Sequence, residues 1–222
     1  MRHELQRPAA RLSGTGRLAD DLYLIAHHEL SGKPHLQPRA VGLGLAGGLL
    51  AELLLGGCLR LSGGAVVIGA GTPPGDELAR RVLELIGGER DDLPARDWLL
   101  FLSRTAAGEV AARLAGSGYL TRAAARRPWR APRWVAVDPD SAFAPLIRIK
   151  AVAGSAQPPP AQHAALGGLA AACGLGHQLA LYLPPGAQAR LDRAVRQLEP
   201  GLRELIAVTQ ATVDAALLAH RV

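Results

Sequence analysis

Aromatic side chains make up only 4% of this 222-residue chain, whereas 49% of its residues are hydrophobic. The core must therefore be built mainly from Leu, Ala and Val, and the apolar content excludes a chain that is disordered throughout. We expect a flexible tail over residues 1–16, since this stretch mixes charges with proline and glycine and has no apolar block of the kind a signal peptide needs. A single domain over residues 17–222 is predicted to follow.

Cysteine and lysine are also scarce. Cys58 and Cys173 lie far apart in apolar segments, which disfavours a disulfide and predicts two buried thiols in a reducing compartment. Lysine occurs only at Lys33 and Lys150, so nearly all positive charge is carried by arginine. Arginine pairs with phosphate through two hydrogen bonds at once, although a GC-rich genome would produce the same composition without any ligand.

One apolar stretch is long enough to be considered as a membrane-crossing helix. Residues 40–59 span about twenty positions with Glu52 as the only charge, which is the length of a bilayer-crossing helix. Gly56 and Gly57 should end a helix near Leu55, leaving about sixteen helical residues. That length is short for a membrane span and normal for a buried core helix, which is the structure that we predict.

The remaining pattern indicates a mainly α fold, a compact helical domain with two small β-hairpins. Hairpins are predicted at residues 59–68 and 119–138, the second with a basic, proline-bearing and tryptophan-bearing tip. Apolar spacing predicts helices over residues 18–28, 40–55, 77–86, 95–103, 105–115, 143–153, 161–183 and 187–220, the last with a break at Pro200-Gly201.

Positive charge is concentrated in residues 121–150. This segment holds seven basic residues against two aspartates, an excess of five within the net charge of +6. Trp129 and Trp134 alternate with arginine and proline in the same segment. Such a pattern favours an anionic partner, either a lipid surface or a nucleic acid, and a solvated basic loop is the plain alternative. The basic residues are Arg122, Arg126, Arg127, Arg130, Arg133, Arg148 and Lys150.

Motifs for enzymatic chemistry are weak. Residues 42–47 have the glycine spacing of a dinucleotide fingerprint, but no strand precedes them and no acid follows about twenty residues later, so we expect these glycines to let another helix approach. His27 and His28 are adjacent and would point to different faces of a helix, which disfavours a metal site with His35. A Gly-x-Ser-x-Gly serine motif is absent from the sequence. We therefore expect no catalysis, no metal and no cofactor.

Five segments, taken together in their order and spacing, resemble the Golgi phosphoprotein 3 family, and within it a bacterial branch. The resemblance extends roughly over residues 16–220. It implies a mostly helical, non-enzymatic domain that binds phosphatidylinositol 4-phosphate at membrane surfaces, inserts a hydrophobic hairpin beside that site, and in eukaryotes helps to retain Golgi glycosyltransferases. The segments are residues 18–24 (LADDLYL), 44–53 (GLAGGLLAEL), 73–78 (PPGDEL), 97–99 (DWL) and 114–120 (LAGSGYL).

The resemblance also implies positions for a lipid pocket. The family uses a tryptophan and an arginine around the glycine-rich helix and two arginines three apart before the hairpin, and Arg104 alone matches. The positions that depart from the motif are Gln37, Ala46 and Ala107. Together with Arg104, the hairpin residues expected to bind headgroups are Arg126, Arg127, Arg130 and Arg133, with Trp129 and Trp134 at the membrane interface. We expect all of these to form one exposed cationic patch.

The leading hypothesis is a non-enzymatic peripheral membrane protein on the cytoplasmic side that binds an anionic phospholipid or a phosphorylated small ligand. Five net charges at about 1 kcal/mol each give at most about 5 kcal/mol, enough only for reversible association, so self-association is also expected. One alternative is an adaptor for a protein client without lipid binding. Another is a winged-helix nucleic-acid binder, for which the groove helix, residues 109–115, offers only Glu109 and Arg113 as polar contacts.

Overall fold

The computed structural model of the chain describes residues 15–123, 133–154 and 159–219. The predicted fold class is confirmed, since helices dominate and the four short strands form two antiparallel hairpins. In chain order the elements are α1 (Leu18–Ala26), α2 (Pro38–Leu55), β1 (Leu59–Ser62), β2 (Ala65–Ile68), α3 (Glu77–Gly87), α4 (Ala95–Leu102), α5 (Ala106–Gly116), β3 (Leu120–Arg122), β4 (Trp134–Ala136), α6 (Pro139–Gly154), α7 (Ala161–Ala170), α8 (Gly176–Tyr182), α9 (Ala187–Arg196) and α10 (Pro200–Leu218).

Helix α2 is the centre of the core. It packs against α1, α4, α5, α7 and α10, and it is apolar on every side, as a helix surrounded by others must be. Two stretches are long and apolar enough to cross a membrane by length and composition, Pro38–Leu55 and Ala161–Tyr182, but 72% and 61% of them is buried within the protein. The predicted core helix therefore agrees with the packing around α2.

The glycines of α2 allow its neighbours to approach closely. A methyl group added at Gly48 would lie 2.9 Å from the Cα atom of Ala19 in α1, and one added at Gly44 would collide with the Cys173 side chain. Both glycines lie inside a helix, with no strand leading into them. The dinucleotide-like spacing is thus explained by helix packing, as the sequence predicted.

The predicted single helix over residues 161–183 is wrong in its middle. A π-helical turn, Ala171–Leu175, separates α7 from α8, and within it Gly174 has a φ of +98°. Only glycine adopts such a backbone conformation without strain, so the break is encoded by that residue. The predicted break at Pro200-Gly201 is confirmed, because α9 ends at Arg196 and α10 begins at Pro200.

The two hairpins sit at different places on the helical core. In the first, β1 packs on α10 and β2 on α3, and the turn uses Gly63 and Gly64, both with positive φ. In the second, β3 follows the C-terminal end of α5 and pairs with β4, placing Arg122 opposite Trp134. Residues 124–132, the hairpin tip with three of the seven basic residues of segment 121–150, lie outside the described residues, as do residues 1–14 of the expected tail.

Candidate functional site

Three acidic side chains from distant parts of the chain meet on one arginine in the interior. Arg113 of α5 donates from Nε to Asp20 Oδ1 at 2.8 Å, from Nη1 to Asp76 Oδ2 at 2.7 Å and from Nη2 to Glu52 Oε1 at 3.3 Å. The side chain of Arg113 is 7% exposed and that of Asp20 is 1% exposed. We call these four residues the Arg113 cluster.

The Arg113 cluster connects the termini of several helices. Glu52, near the end of α2, accepts a 2.8 Å hydrogen bond from the backbone N–H of Ala19 at the start of α1. Asp76 caps α3 by accepting from the N–H of Ala79 at 2.9 Å, and it also pairs with Arg17 at 3.4 Å. The three acids belong to three of the motif segments identified in the sequence, so these motifs serve internal structure.

Burial changes the proton affinity of the cluster. Desolvation raises the pKa of Asp20 from 3.8 to about 7, although the nearby Arg113 guanidinium opposes the shift. Desolvation likewise raises the pKa of Glu52. At Asp76 desolvation is outweighed by the Ala79 N–H and by Arg113, so its pKa is lowered. When Asp20 carries a proton, the negative charges of Glu52 and Asp76 face the positive charges of Arg113 and Arg17. The net charge of these five side chains is then close to zero.

A second internal pair removes one cation from the predicted basic surface. Arg148 of α6 forms a short ion pair with Asp21 of α1, whose side chain is buried and also accepts from the Thr15 N–H at 3.2 Å and hydroxyl at 3.1 Å. Desolvation raises the pKa of Asp21, and Arg148 opposes that shift. The sequence count of an excess of five positive charges in residues 121–150 therefore overstates the external charge, because Arg148 is neutralised inside the protein.

The arms of the second hairpin carry exposed cations. The Arg122 guanidinium lies 5.1 Å from the ring centroid of Trp134, a cation–π geometry, and Arg133 is exposed beside it. Trp134 is half-buried and packs against the core, so it holds the hairpin in place. Its expected role at a membrane interface stays a prediction. The sequence analysis did not include Arg122 among the site residues. Pairing the two predicted arms of the hairpin would have placed Arg122 opposite Trp134 and so beside a predicted site residue.

Arg104 lies in the exposed turn between α4 and α5. A methyl group added at Gly42 would press on the carbonyl oxygen of Ser103, so the N-terminal part of α2 packs beside this turn. Gln37 is the N-cap of α2 and makes no side-chain capping hydrogen bond, and Arg39 in the first turn is exposed. An uncapped helix N-terminus with nearby guanidinium groups is an electropositive place suited to phosphate.

The four pocket positions implied by the family resemblance differ in their access to solvent. Gln37 and Arg104 are exposed, Ala46 is fully buried inside α2, and Ala107 is half-buried against the core. Ala46 therefore cannot contact a ligand from solvent. Arg39, which the sequence analysis did not single out, is the additional cation at this end of α2. The remaining predicted residues lie outside the described residues: Arg126, Arg127, Trp129 and Arg130.

The convergence of Arg104 with the hairpin stays a prediction. Arg104 precedes the N-terminus of α5, whereas β3 follows its C-terminus, and eleven helical residues extend about 16 Å. Within the described ranges, no hydrogen bond, ion pair or ring contact joins Arg104 to β3 or β4. One loop nevertheless connects the hairpin with the N-terminus of α2. Gly32 in this loop packs against the Trp134 carbonyl, and the chain reaches Gln37, the N-cap of α2, five residues later.

The two polar side chains on which the winged-helix hypothesis depends both pair with other parts of the protein. Arg113 is enclosed by the cluster, and Glu109 pairs with Arg81 of α3 at 3.0 Å. Residues 109–115 therefore lie on a helix whose polar groups are occupied by other parts of the protein. These contacts disfavour the alternative in which this helix enters a nucleic-acid groove.

Comparison with known proteins agrees with the resemblance found in the sequence. A family model described as Golgi phosphoprotein 3 matches residues 18–216. The matched span includes all five motif segments and runs from the first residue of α1 into the last turn of α10. No curated protein matches the chain.

Proposed function

This chain belongs to the Golgi phosphoprotein 3 family, and we propose that it is a non-enzymatic peripheral membrane protein that binds phosphate-bearing anionic lipid headgroups on the cytoplasmic side. The observation that carries the proposal is the exposed N-terminus of α2, with Arg39 on it and Arg104 beside it. Nothing in the proposal requires a reaction at this site.

The electrostatic basis is that these two arginines are not neutralised by ion pairs. Of the residues that the structure describes, none forms an ion pair with Arg39 or Arg104, whereas Arg113 and Arg148 each pair with buried aspartates. A phosphate at this position would gain about 0.3–1 kcal/mol from the helix dipole. Each guanidinium could add charge-assisted hydrogen bonds to its oxygens.

The hairpin arms carry further exposed cations. Arg122 and Arg133 are exposed, and the loop that contacts Trp134 carries the exposed Lys33 before it reaches α2. At about 1 kcal/mol per cation near an anionic leaflet, these three residues and the two arginines near α2 supply about 5 kcal/mol at most. Such an energy supports reversible binding, and self-association would multiply it.

Vesicle flotation with the full-length chain tests the proposal. We expect binding at low salt to vesicles that contain phosphatidylserine or phosphatidylinositol 4-phosphate, no binding to pure phosphatidylcholine, and loss of binding as salt screens the charges. Equal failure on neutral and acidic vesicles would exclude lipid binding and favour the adaptor alternative. Competition by soluble inositol phosphate would separate headgroup recognition from general attraction to a charged surface.

A further inference from the structure

A cavity of about 150 Å³ opens between the end of α1, the loop that follows it, α6 and α8. Most of its lining is apolar or aromatic: Leu24, Ile25, Ala142, Phe143, Leu146, Leu179, Leu181 and Tyr182. The other lining residues are polar: His27, His28, Glu29, His35 and Gln178. An apolar cavity with a few polar groups at one side is the usual form of a small-molecule site.

The proton positions on His27 follow from its hydrogen bond. Its Nδ1 lies 2.8 Å from the carbonyl oxygen of Tyr23, which can only accept, so Nδ1 carries the proton. Burial lowers the pKa of His27, which keeps the ring neutral at physiological pH. Nε2 is therefore a hydrogen-bond acceptor. Stacking on the Tyr23 ring, with centroids 3.9 Å apart, holds the imidazole in place.

His28 has the opposite arrangement. The backbone N–H of Leu30 donates to its Nδ1 at 3.2 Å, so Nδ1 carries no proton and Nε2 is a donor. Glu29 Oε2 lies 3.6 Å from the same Nδ1, which is beyond hydrogen-bonding distance. Across the described part of the chain, no hydrogen bond uses Nε2 of His27 or Nε2 of His28. The backbone at His27 is extended (φ −126°, ψ 142°), so the two adjacent side chains point to opposite sides and do not share one ligand atom.

The size of the cavity restricts what can fill it. An engineered protein cavity of about 150 Å³ lined by aliphatic and aromatic side chains holds one benzene molecule. The described residues contain no group of three or more His, Cys, Asp or Glu side chains placed to hold a metal ion. The Glu29 carboxylate in the lining also disfavours an anionic ligand.

We propose that this cavity binds a small ring compound carrying one hydroxyl group, with the ring on the apolar lining and the hydroxyl donating to Nε2 of His27. A hydroxyl can donate to this Nε2 atom, which a plain hydrocarbon cannot do. The site shares no residue with the proposed headgroup site, although its lining includes His35, two residues before the N-cap of α2.

Titration of the ¹⁵N-labelled protein with phenol, followed by NMR of the backbone and the histidine rings, tests this inference. We expect saturable shifts at the residues lining the cavity and at Nε2 of His27. Toluene has the same ring without the hydroxyl, so it should bind about tenfold or more weakly. Shifts that do not saturate, or equal affinity for toluene and phenol, would overturn the proposal.

Two variants locate the site. His27→Phe keeps a ring that can stack on Tyr23 but removes the acceptor, so phenol affinity should fall about tenfold while toluene affinity does not fall. His177→Phe is the matched control, since His177 is exposed on α8 and does not line the cavity; its phenol affinity should equal that of the wild type.

Ala142→Leu provides a test that does not depend on how His27→Phe folds. Ala142 lines the cavity and is buried, so three added carbon atoms should fill the space and abolish binding of both phenol and toluene. Undiminished phenol binding by this variant would show that phenol binds elsewhere and would refute the assignment.

Discussion

Arginine has opposite roles in two regions of this protein. In the Arg113 cluster one guanidinium is enclosed by three carboxylates and holds four segments of the chain together. At the N-terminus of α2, Arg39 and Arg104 are exposed, and no acid in the described part of the chain pairs with them. Burial and ion-pair partners, and not residue type, therefore decide whether an arginine supports the fold or is available to a ligand.

The energetics of the two regions differ in kind. Burying an ion cluster costs desolvation energy that the ion pairs roughly repay, so the complete cluster stabilises modestly, while an incomplete one is strongly destabilising. An exposed arginine contributes little to folding and about 1 kcal/mol to attraction by an anionic surface. Substitutions in the two regions should therefore change different measurements.

Arg113→Met should have the largest effect. It leaves Asp20 and Glu52 buried without their cation, which costs about 3–5 kcal/mol of unfolding free energy and lowers the melting temperature by about 10 °C or more at this chain length. Urea and thermal unfolding measure the change. Arg104→Met is the matched control, and its stability should stay within about 0.5 kcal/mol of the wild type. A loss below 1 kcal/mol in Arg113→Met would contradict the role given to the cluster.

Asp20→Asn should change how stability depends on pH. Between pH 3.8 and about 7 the folded protein keeps a proton on Asp20 that the unfolded chain has released, so Asp20 contributes a fall in unfolding free energy as pH rises through this window. His27, His35 and His163, whose pKa values are lowered by burial, contribute with the opposite sign, and they do so equally in the wild type and the variant. The asparagine cannot ionise and can still accept from Arg113, so the variant should lose up to about 1.4 kcal/mol per pH unit of that slope.

Urea unfolding at pH 5, 6, 7 and 8 measures the slope, and this range avoids the acid protonation of Asp76. Asp214→Asn, at an exposed position on α10, is the control and should keep the wild-type slope. Identical slopes in Asp20→Asn and the wild type would mean that Asp20 is ionised throughout. The raised pKa values of Asp21 and Glu52 act in the same direction, so part of the slope should remain.

The double variant Arg39→Ala, Arg104→Ala tests the exposed region. Removing two cations at about 1 kcal/mol each should weaken binding to anionic vesicles by about thirtyfold, while thermal unfolding changes little. Arg193→Ala, Arg196→Ala removes the same charge from the exposed face of α9. A smaller loss in this control would place the headgroup site at α2, and an equal loss would show that only net charge matters.

Much of the fold could be predicted from the sequence, because helix periodicity and glycine or proline breaks are local signals. The core position of α2 and the break at Pro200 follow from such signals. The π-helical turn after α7 was missed, since α7 and the segment after it are apolar on most sides and a single glycine such as Gly174 is tolerated within a helical pattern.

The Arg113 cluster could not be assembled from the sequence, because its members come from four separate segments and only tertiary packing brings them together. A signal was nevertheless present. Asp20 and Glu52 interrupt otherwise apolar runs, and a charge inside a buried run requires a partner of opposite sign. The partner's identity depends on which helices pack, so in the sequence Arg113 was considered only as a polar contact of the winged-helix alternative.

Arg122→Gln should have the smallest effect, and it connects the two regions because Arg122 is exposed and also contacts a packed ring. Loss of the cation–π contact with Trp134 should cost about 0.5–1 kcal/mol of unfolding free energy. Arg133→Gln removes the same charge from a neighbouring exposed position. Both variants should weaken binding to anionic vesicles about fivefold, but only Arg122→Gln should be destabilised in urea. Equal stability of the two variants would show that the ring contact adds nothing, leaving Arg122 a purely surface cation.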